Sequence, residues 1–348
     1  MAKNIGFGII GAGMISNFHA QAIKDAAGAE LVCVYCPEKP LLDAFVKKHN
    51  VKGYDTMEAF LADPALEAVT IATPTGLHLD TAVPAAKAGK HVLCEKPLEI
   101  TPERSQEIID ACRESGVVLA PVFQYRYSPA ARLIREAVTA GRFGKLLMGS
   151  AKIKWFRSQA YYDSGVWRGT WELDGGGCLM NQSIHAIDLF IHFMGRPVEI
   201  YGHVDTAAHE RIQVEDNSAA VIKFDNGAFG TIESSTAMEP GWPLEVEVSG
   251  TRGTVRIQAD TLVKWDFADK DPIDARALEL IQGGANNSGA SDPSAISTLG
   301  HQMIIEDMVK AIRGESGFII DGAEAKLPVE VVCSIYKSAK TGVPVKLN

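Results

Sequence analysis

Through its first 123 residues the chain alternates, without a break, between short apolar runs and stretches of helical pattern. The runs fall at 5–10, 30–35, 68–72, 91–94 and 117–123, with helical patterns at 14–27, 40–49, 77–89 and 102–115. Runs this continuously apolar read as strands buried on both faces, and a helix between each pair makes the strands parallel. The expected fold class is α/β, a doubly wound parallel sheet covered by helices on both sides. Such sheets bind ligands beyond the carboxyl ends of their strands, so function is sought in the turns that follow the runs. At 348 residues the chain exceeds the ~150 residues of one ordinary domain, and a second domain is expected. The boundary is read after residue 125, giving domains at 1–125 and 126–348.

The first turn supplies a ligand. Gly8-Ile9-Ile10-Gly11-Ala12-Gly13-Met14-Ile15-Ser16 follows a strand and opens a helix. Gly11 permits a tight turn, and Gly13 lets the backbone approach a pyrophosphate seated on the helix N-terminus. Ser16 replaces the usual third glycine, which predicts slightly looser helix–strand packing there. This context reads as dinucleotide binding. The end of the second strand should separate NAD from NADP, because an acidic residue there holds the ribose hydroxyl and an arginine the 2′-phosphate. Here the residues are Tyr35-Cys36-Pro37-Glu38-Lys39. Glu38 is in reach of the ribose, Lys39 is equally in reach of a phosphate, and both also read as solvated loop charges. NAD is the favoured cofactor, with NADP the alternative.

Composition excludes several other classes. A formal charge of −9 without a long basic run argues against nucleic acid as a partner. No apolar run approaches the ~20 residues of a spanning helix, and the Gly-rich start lacks a signal-peptide cleavage site, so no membrane partner is expected. Six cysteines are too sparse for a disulfide scaffold of this length, which points to a reducing cytoplasm. Cys33-x-x-Cys36 has no second Cys/His pair nearby and reads as packed thiols rather than a metal site.

Two dipeptides mark further strand ends: Thr73-Pro74 after Ala72, and Lys96-Pro97 after Glu95. Proline restricts the residue before it, so Lys96 is held at the sheet's carboxyl edge, placed to hydrogen-bond a reacting hydroxyl. Further on, Gly175-Gly176-Gly177 leads into a helix from about 179. Met180, Ile184, Ile187, Ile191 and Met194 form its buried stripe. Asn181, His185, Asp188 and His192 form a polar row beside it, facing either a site or a hydrogen-bonded core network. His185 and His192 are nearly two turns apart and no other ligand set appears, so no metal is expected. Between 155 and 171, six aromatic residues mix with Arg157 and Arg168, as in a carbohydrate cleft. Trp167 would stack on a sugar, and Arg168 would pair two-pronged with a carboxylate or phosphate. The competing reading is a loop whose aromatics pack on a sheet. Strands near 197–207, 218–225, 228–236, 244–249 and 253–258, with a hairpin at Asp225-Asn226-Gly227, fit an antiparallel sheet. Residues 283–294 read as a loop.

Taken together, Glu95-Lys96-Pro97, the Gly-x-Gly turn, Thr73-Pro74 with His78, and the helix carrying His185 resemble the Gfo/Idh/MocA oxidoreductases. The resemblance spans nearly the whole chain, including 321–325 and 338–342. It implies an amino-terminal Rossmann domain and an α/β domain with an open, mainly antiparallel sheet. That sheet often mediates a homo-oligomer, here a dimer or tetramer. It implies NAD(P)-dependent oxidation or reduction of a sugar or cyclitol hydroxyl. Cofactor contacts then fall on Gly11, Gly13, Met14 and Ile15 in the first turn, and on Cys36 and Glu38 after the second strand. They continue through Ala72, Thr73, Pro74 and His78, then Glu95, Lys96 and Gln124. Many relatives carry Asp-x-x-x-His where this chain has Asn181-x-x-x-His185. Asparagine orients a hydroxyl but takes no proton, so His185 becomes the general base. The Asn form, with the stretch 161–171, is similar to family members acting on UDP-linked N-acetylglucosaminuronate.

The expected reaction follows. His185 takes the hydroxyl proton, Lys96 hydrogen-bonds the oxygen, hydride passes to the nicotinamide, and Asn181 and Asp188 orient the sugar. The substrate contacts are Lys96, Trp167, Arg168, Asn181, His185 and Asp188. An enzyme on free cyclitols, sugars or glycosides is the alternative. A non-catalytic, sugar-sensing regulator is the rival of another class, and the presence of both Lys96 and His185 argues against it.

Overall fold

The computed structural model describes residues 3–283, 298–315 and 320–347. They group into two compact units, Met1–Gln124 with Thr298–Lys326, and Tyr125–Ser297 with Leu327–Asn348. The first boundary lies one residue from the expected cut. The return of the chain to the first unit is new.

The first unit opens with β1 (Ile5–Ile10), α1 (Met14–Asp25), β2 (Ala29–Tyr35), α2 (Lys39–His49), β3 (Lys52–Tyr54) and α3 (Met57–Leu61). It continues with β4 (Ala68–Ile71), α4 (His78–Lys87), β5 (His91–Cys94), α5 (Pro102–Glu114) and β6 (Leu119–Pro121). The strands form one parallel sheet in the order β3-β2-β1-β4-β5-β6. All six residues of β1 and all four of β4 are buried, as continuous apolar runs require. The edge strand β3 and the short α3 were not read from the sequence. β3 is exposed or half-buried along its length, so it has no apolar run to betray it.

The second unit contains α6 (Pro129–Thr139), β7 (Leu146–Lys154), α7 (Gln159–Asp163), α8 (Ile184–Met194), β8 (Pro197–Asp205) and β9 (Asn217–Phe224). Then come β10 (Phe229–Ser235), β11 (Glu245–Gly250), β12 (Gly253–Gln258), β13 (Thr261–Phe267) and α9 (Ile273–Gly283). The expected loop at 283–294 begins at the last residue of α9, and its remainder lies outside the described residues. Next, α10 (Leu299–Ile312) packs in the first unit against α1, β2 and β5. Its buried His301, Ile304, Ile305, Met308 and Val309 need that cover, which is why the segment returns. α11 (Gly322–Thr341) starts with the first unit and ends with the second, where β14 (Val345–Lys346) follows.

The second sheet has eight strands in the order β13-β12-β11-β7-β10-β9-β8-β14. Every pair is antiparallel except β7 with β10. The Asp225-Asn226-Gly227 signal forms the β9–β10 hairpin, with Gly227 at φ 84°. Along β9, Ser218, Ala220, Ile222 and Phe224 turn inward while Asn217, Ala219, Val221 and Lys223 face outward. α8 packs against β7 and β11.

Candidate active site

The carboxyl edge of the first sheet collects the turns singled out above. Gly11 takes φ 106°, and a Cβ on it would stand 2.8 Å from the Ala72 carbonyl oxygen, so only glycine fits. Gly13 is the N-cap of α1, where no side chain caps the helix and no acidic residue enters the first turn. A Cβ on Gly13 would meet nothing within 4 Å. The first N–H groups of α1 thus face open space with the positive end of the helix dipole behind them, which seats an anion. Met14 is exposed and Ile15 half-buried beside this turn. Ser16 is fully buried, with its Oγ lacking a hydrogen-bond partner among the described residues. At the ends of β4 and β6, Thr73 Oγ1 and Gln124 Oε1 are buried without a hydrogen-bond partner among the described residues. Buried polar atoms without partners are costly, and these stand on the edge where a dinucleotide binds. The residues present therefore fit that cofactor.

Cys36 is 4% exposed, while Glu38 is exposed at the N-cap of α2. Lys39 pairs with Asp43 at 3.1 Å. Burial pushes the Cys33 thiol up to about 12 and raises that of Cys36, as packed rather than reactive thiols require.

The Lys96–Pro97 peptide is cis, and Lys96 is half-buried. Its neighbours are more committed than their expected cofactor role allows. His78 is buried between the two proline turns, with Nδ1 3.0 Å from Pro97 O and Nε2 3.2 Å from Thr73 O. Burial lowers its pKa, and the neutral ring donates from only one of its nitrogens; lodged against both turns, His78 braces them. Glu95 is 6% exposed. Its Oε1 lies 2.9 Å from His19 Nε2 and 3.1 Å from His301 Nε2, and its Oε2 accepts the Lys96 N–H at 3.0 Å. Burial alone would raise this carboxyl, but the two histidine hydrogen bonds overcome it and hold Glu95 well below the carboxylate range. Among the described residues, His19, Glu95 and His301 bring metal-type donor atoms within 4.8 Å of one another. The sequence reading did not foresee this group, because His301 is 206 positions from Glu95.

In the second unit the glycine run serves packing. A Cβ on Gly176 would stand 2.1 Å from the Tyr336 hydroxyl, and one on Gly177 1.8 Å from the Glu215 carbonyl oxygen. The Glu215 carboxylate accepts N–H groups from Gly177 and Leu179 and the Tyr336 hydroxyl. Residues 178–183 form a π-helical turn before α8. Such turns break the regular register and often occur at functional sites.

The polar row divides. Asp188, expected to orient a sugar, is 1% exposed and bound two-pronged by Arg126 at 2.8 and 2.7 Å. That is the core-network reading, and it removes Asp188 from sugar contact. His185 is 6% exposed, edge-on to Tyr125 with ring centroids 5.2 Å apart. Asn181 is half-buried, donates to Asp174, and accepts from Gln182 Nε2 at 2.9 Å. A carboxylate therefore stands behind the asparagine after all, seven residues upstream. His192 is half-buried, its pKa lowered to about 3 by burial and by Arg126 and Arg135.

Asn181 and Arg168 are brought together through side chains between them. Gln182 Nε2 donates to the Tyr161 hydroxyl at 3.1 Å, and Arg168 Nη1 donates to the same oxygen at 2.5 Å. The Arg168 guanidinium lies 4.2 Å from the Tyr161 ring centre and 4.5 Å from that of Trp167. Arg157 is 4% exposed and donates to Gln182 Oε1 at 2.9 Å. The sequence reading named Trp167, Arg168 and Asn181 but not Tyr161 and Gln182 as their connection.

Residues 5–123 match the family model described as oxidoreductase family, NAD-binding Rossmann fold, and residues 131–256 match that of the Gfo/Idh/MocA C-terminal domain. The WlbA dehydrogenase from Bordetella pertussis, solved with NADH and UDP-GlcNAcA, is 30% identical, with a TM-score of 0.91 over 99% of this chain and 98% of its own. The WlbA enzyme from Chromobacterium violaceum, solved with the same two molecules, is 30% identical, with a TM-score of 0.89 over 100% and 97%. A scyllo-inositol 2-dehydrogenase (NAD(+)) of Bacillus subtilis (strain 168) is 26% identical over 100% of this chain and 98% of its length. With both family models matched along one chain, the protein belongs to the Gfo/Idh/MocA family of NAD-binding oxidoreductases.

Proposed function

We propose that this oxidoreductase oxidises a hydroxyl of a nucleotide-linked sugar acid, of the UDP-N-acetylglucosaminuronate type, with NAD as the acceptor. The observation that carries this reading is Arg168. Stacked between Tyr161 and Trp167, its guanidinium is fixed in plane and suited to a carboxylate or phosphate rather than a neutral cyclitol. The WlbA enzymes with UDP-GlcNAcA support the substrate class. Free sugars, glycosides and inositols are the second reading, favoured by the inositol dehydrogenase relative.

The roles follow from the residues. The N-terminus of α1 holds the pyrophosphate, and Thr73, Lys96 and Gln124 contact the nicotinamide half. When bound, the dinucleotide supplies the hydride acceptor. His185 takes the proton from the substrate hydroxyl, and the Lys96 ammonium hydrogen-bonds that oxygen as it becomes a carbonyl. Asn181, oriented by Asp174 and Gln182, holds a neighbouring hydroxyl. Glu38, exposed where Cys36 is buried, makes NAD the preferred cofactor. The buried free cysteines suit a reducing cytoplasm. The outward face of the second sheet, carrying exposed Met148, Val221 and Phe229, suits a homo-oligomer.

The test is cofactor reduction with a panel of UDP-sugar acids, free hexoses, glycosides and inositols. The reading requires turnover of a UDP-sugar acid. Efficient oxidation of an inositol with none of the UDP-sugar acid replaces it with the second reading. Tight binding of both ligands without reduction identifies a sensor instead.

A further inference from the structure

We propose that His19 and His301 are positioning residues, which act through Glu95 to fix the turn that presents Lys96. The inference rests on the reading of Lys96 as the hydrogen-bond donor to the reacting oxygen. The Glu95 carboxylate is shared between two tasks. Oε1 faces both histidines, and Oε2 faces the backbone N–H of Lys96. One histidine comes from α1 and the other from α10, two helices that pack against each other, so the turn after β5 is tied to both. The side chains of His19, Glu95 and His301 are 0, 8 and 2% exposed, so water does not compete for these bonds.

The proton arrangement is also set. Thr70 Oγ1 lies 2.8 Å from His19 Nδ1. With the hydroxyl donating there, the His19 proton sits on Nε2 and points at Glu95. Burial lowers the His19 pKa, so the ring holds only that proton. The rings of His19 and His301 meet edge to face at 5.0 Å, which fixes one against the other. A carboxylate held by donors on both oxygens cannot rotate without losing a charge-assisted bond. A misplacement of ~1 Å at a catalytic group costs about 100-fold in rate, so such a bracket matters to turnover.

The experiment compares His301→Leu, His301→Gln and the milder Thr70→Val, whose methyl replaces the hydroxyl that sets the His19 tautomer. With a substrate the wild-type protein turns over, His301→Leu should lower kcat about ten-fold or more, with the NAD dissociation constant within about three-fold. His301→Gln, which keeps a donor, should recover most of the loss, and Thr70→Val should lose less than His301→Leu. In the Lys96→Ala background His301→Leu should cost nothing further, because the two residues act as a unit. A readout without turnover separates this proposal from the functional reading. The acylation rate of Lys96 by a small succinimidyl ester, read by peptide mass, should change in His301→Leu and Thr70→Val while that of exposed Lys145 does not. Additive losses in the double variant, or an unchanged Lys96 rate in both variants, would overturn the proposal. So would stoichiometric zinc in the wild-type protein that His301→Gln loses, since the same atoms would then be metal ligands.

Discussion

Each unit buries a glutamate against the turn at or just before its candidate catalytic side chain, Glu95 and Glu215, and the two are held in opposite electrostatic conditions. Glu95, under Lys96, receives histidine N–H groups, a backbone N–H and their partial charge, and stays well below the carboxylate range. Glu215, under the π-helical turn before His185, receives backbone N–H groups and the Tyr336 hydroxyl. For Glu215 burial prevails over those bonds and its pKa is raised. The difference lies in the donors. Two imidazole hydrogen bonds favour the charged form of Glu95 enough to overcome its burial, whereas at Glu215 the backbone and hydroxyl donors do not. The first arrangement keeps a fixed negative charge at the sheet edge. The second uses a carboxyl as a peg for a glycine loop.

The sharpest way to break this comparison is to remove the side chains the two glutamates support. Lys96→Ala and His185→Ala should each lower kcat by roughly 100- to 10,000-fold, the usual worth of a placed proton-transfer group. The NAD dissociation constant should stay within several-fold, with Lys96 showing the larger change. Asp188→Ala is the contrasting control. It strands Arg126 in the core and should cost about 3–5 kcal/mol of stability, so thermal unfolding rather than kinetics reports it. Near-normal turnover in either of the first two variants would remove that residue from catalysis.

A pH series on the glutamates comes next in size. Because the folded-state pKa of Glu95 is depressed, its stabilisation is present above the unfolded value near 4.5 and is lost as pH falls below it. Glu215 is raised, so its contribution is full below about 4.5 and declines as pH rises through the folded value. Glu95→Gln should flatten the acid side of a melting-temperature profile, and Glu215→Gln should flatten the opposite limb. Equal slopes for both variants would show the two carboxyls to be alike. His192 adds to the acid limb, since its folded value of about 3 lies below 6.5 and stability falls with pH across that interval.

Arg168 gives the third effect. Arg168→Lys should raise KM for a carboxylate-bearing substrate by about ten-fold, because an ammonium cannot reproduce a planar two-pronged contact. A neutral sugar should respond less. Loss of melting temperature in both Lys and Ala variants, with KM unchanged, would make Arg168 a brace for Tyr161 and Trp167.

What the sequence disclosed follows distance along the chain. The Gly11–Gly13 turn, the strand ends at Thr73 and Lys96, and the β9–β10 hairpin each depend on neighbours within a few residues, and local pattern finds such features. The buried partners do not. His301 reaches Glu95 from 206 positions away, and Glu215 reaches Gly177 from 38. A polar row on a helix likewise does not state which members meet solvent. Asp188 and His185 look alike by spacing, and only Arg126, 62 residues before Asp188, distinguishes them. Strand β7 went unread because two of its three inward residues, Gly149 and Ala151, are too small to mark an apolar face, and β13 because only Leu262 along it is buried.

The smallest expected effect concerns the cofactor. Cys36, where an acidic residue usually holds the ribose, is buried and donates its thiol to the Glu38 carbonyl at 3.8 Å. Glu38 is then the carboxylate nearest that position in sequence, and it stands exposed at the N-cap of α2. Lys39, the one cation beside it, is engaged with Asp43 in an exposed pair one turn on. Such pairs are weak, about 0.3–0.5 kcal/mol, so Lys39 is restrained rather than locked. NAD should therefore bind more tightly than NADP by a modest factor, and Glu38→Ala should erode the preference. Lys39→Ala should weaken NADP binding only if the pair opens to meet the 2′-phosphate. Titration of both oxidised cofactors against the three proteins decides the matter. NADP binding ten-fold tighter than NAD, lost in Lys39→Ala, would move the ribose contact from Glu38 to Lys39 and reverse the preference.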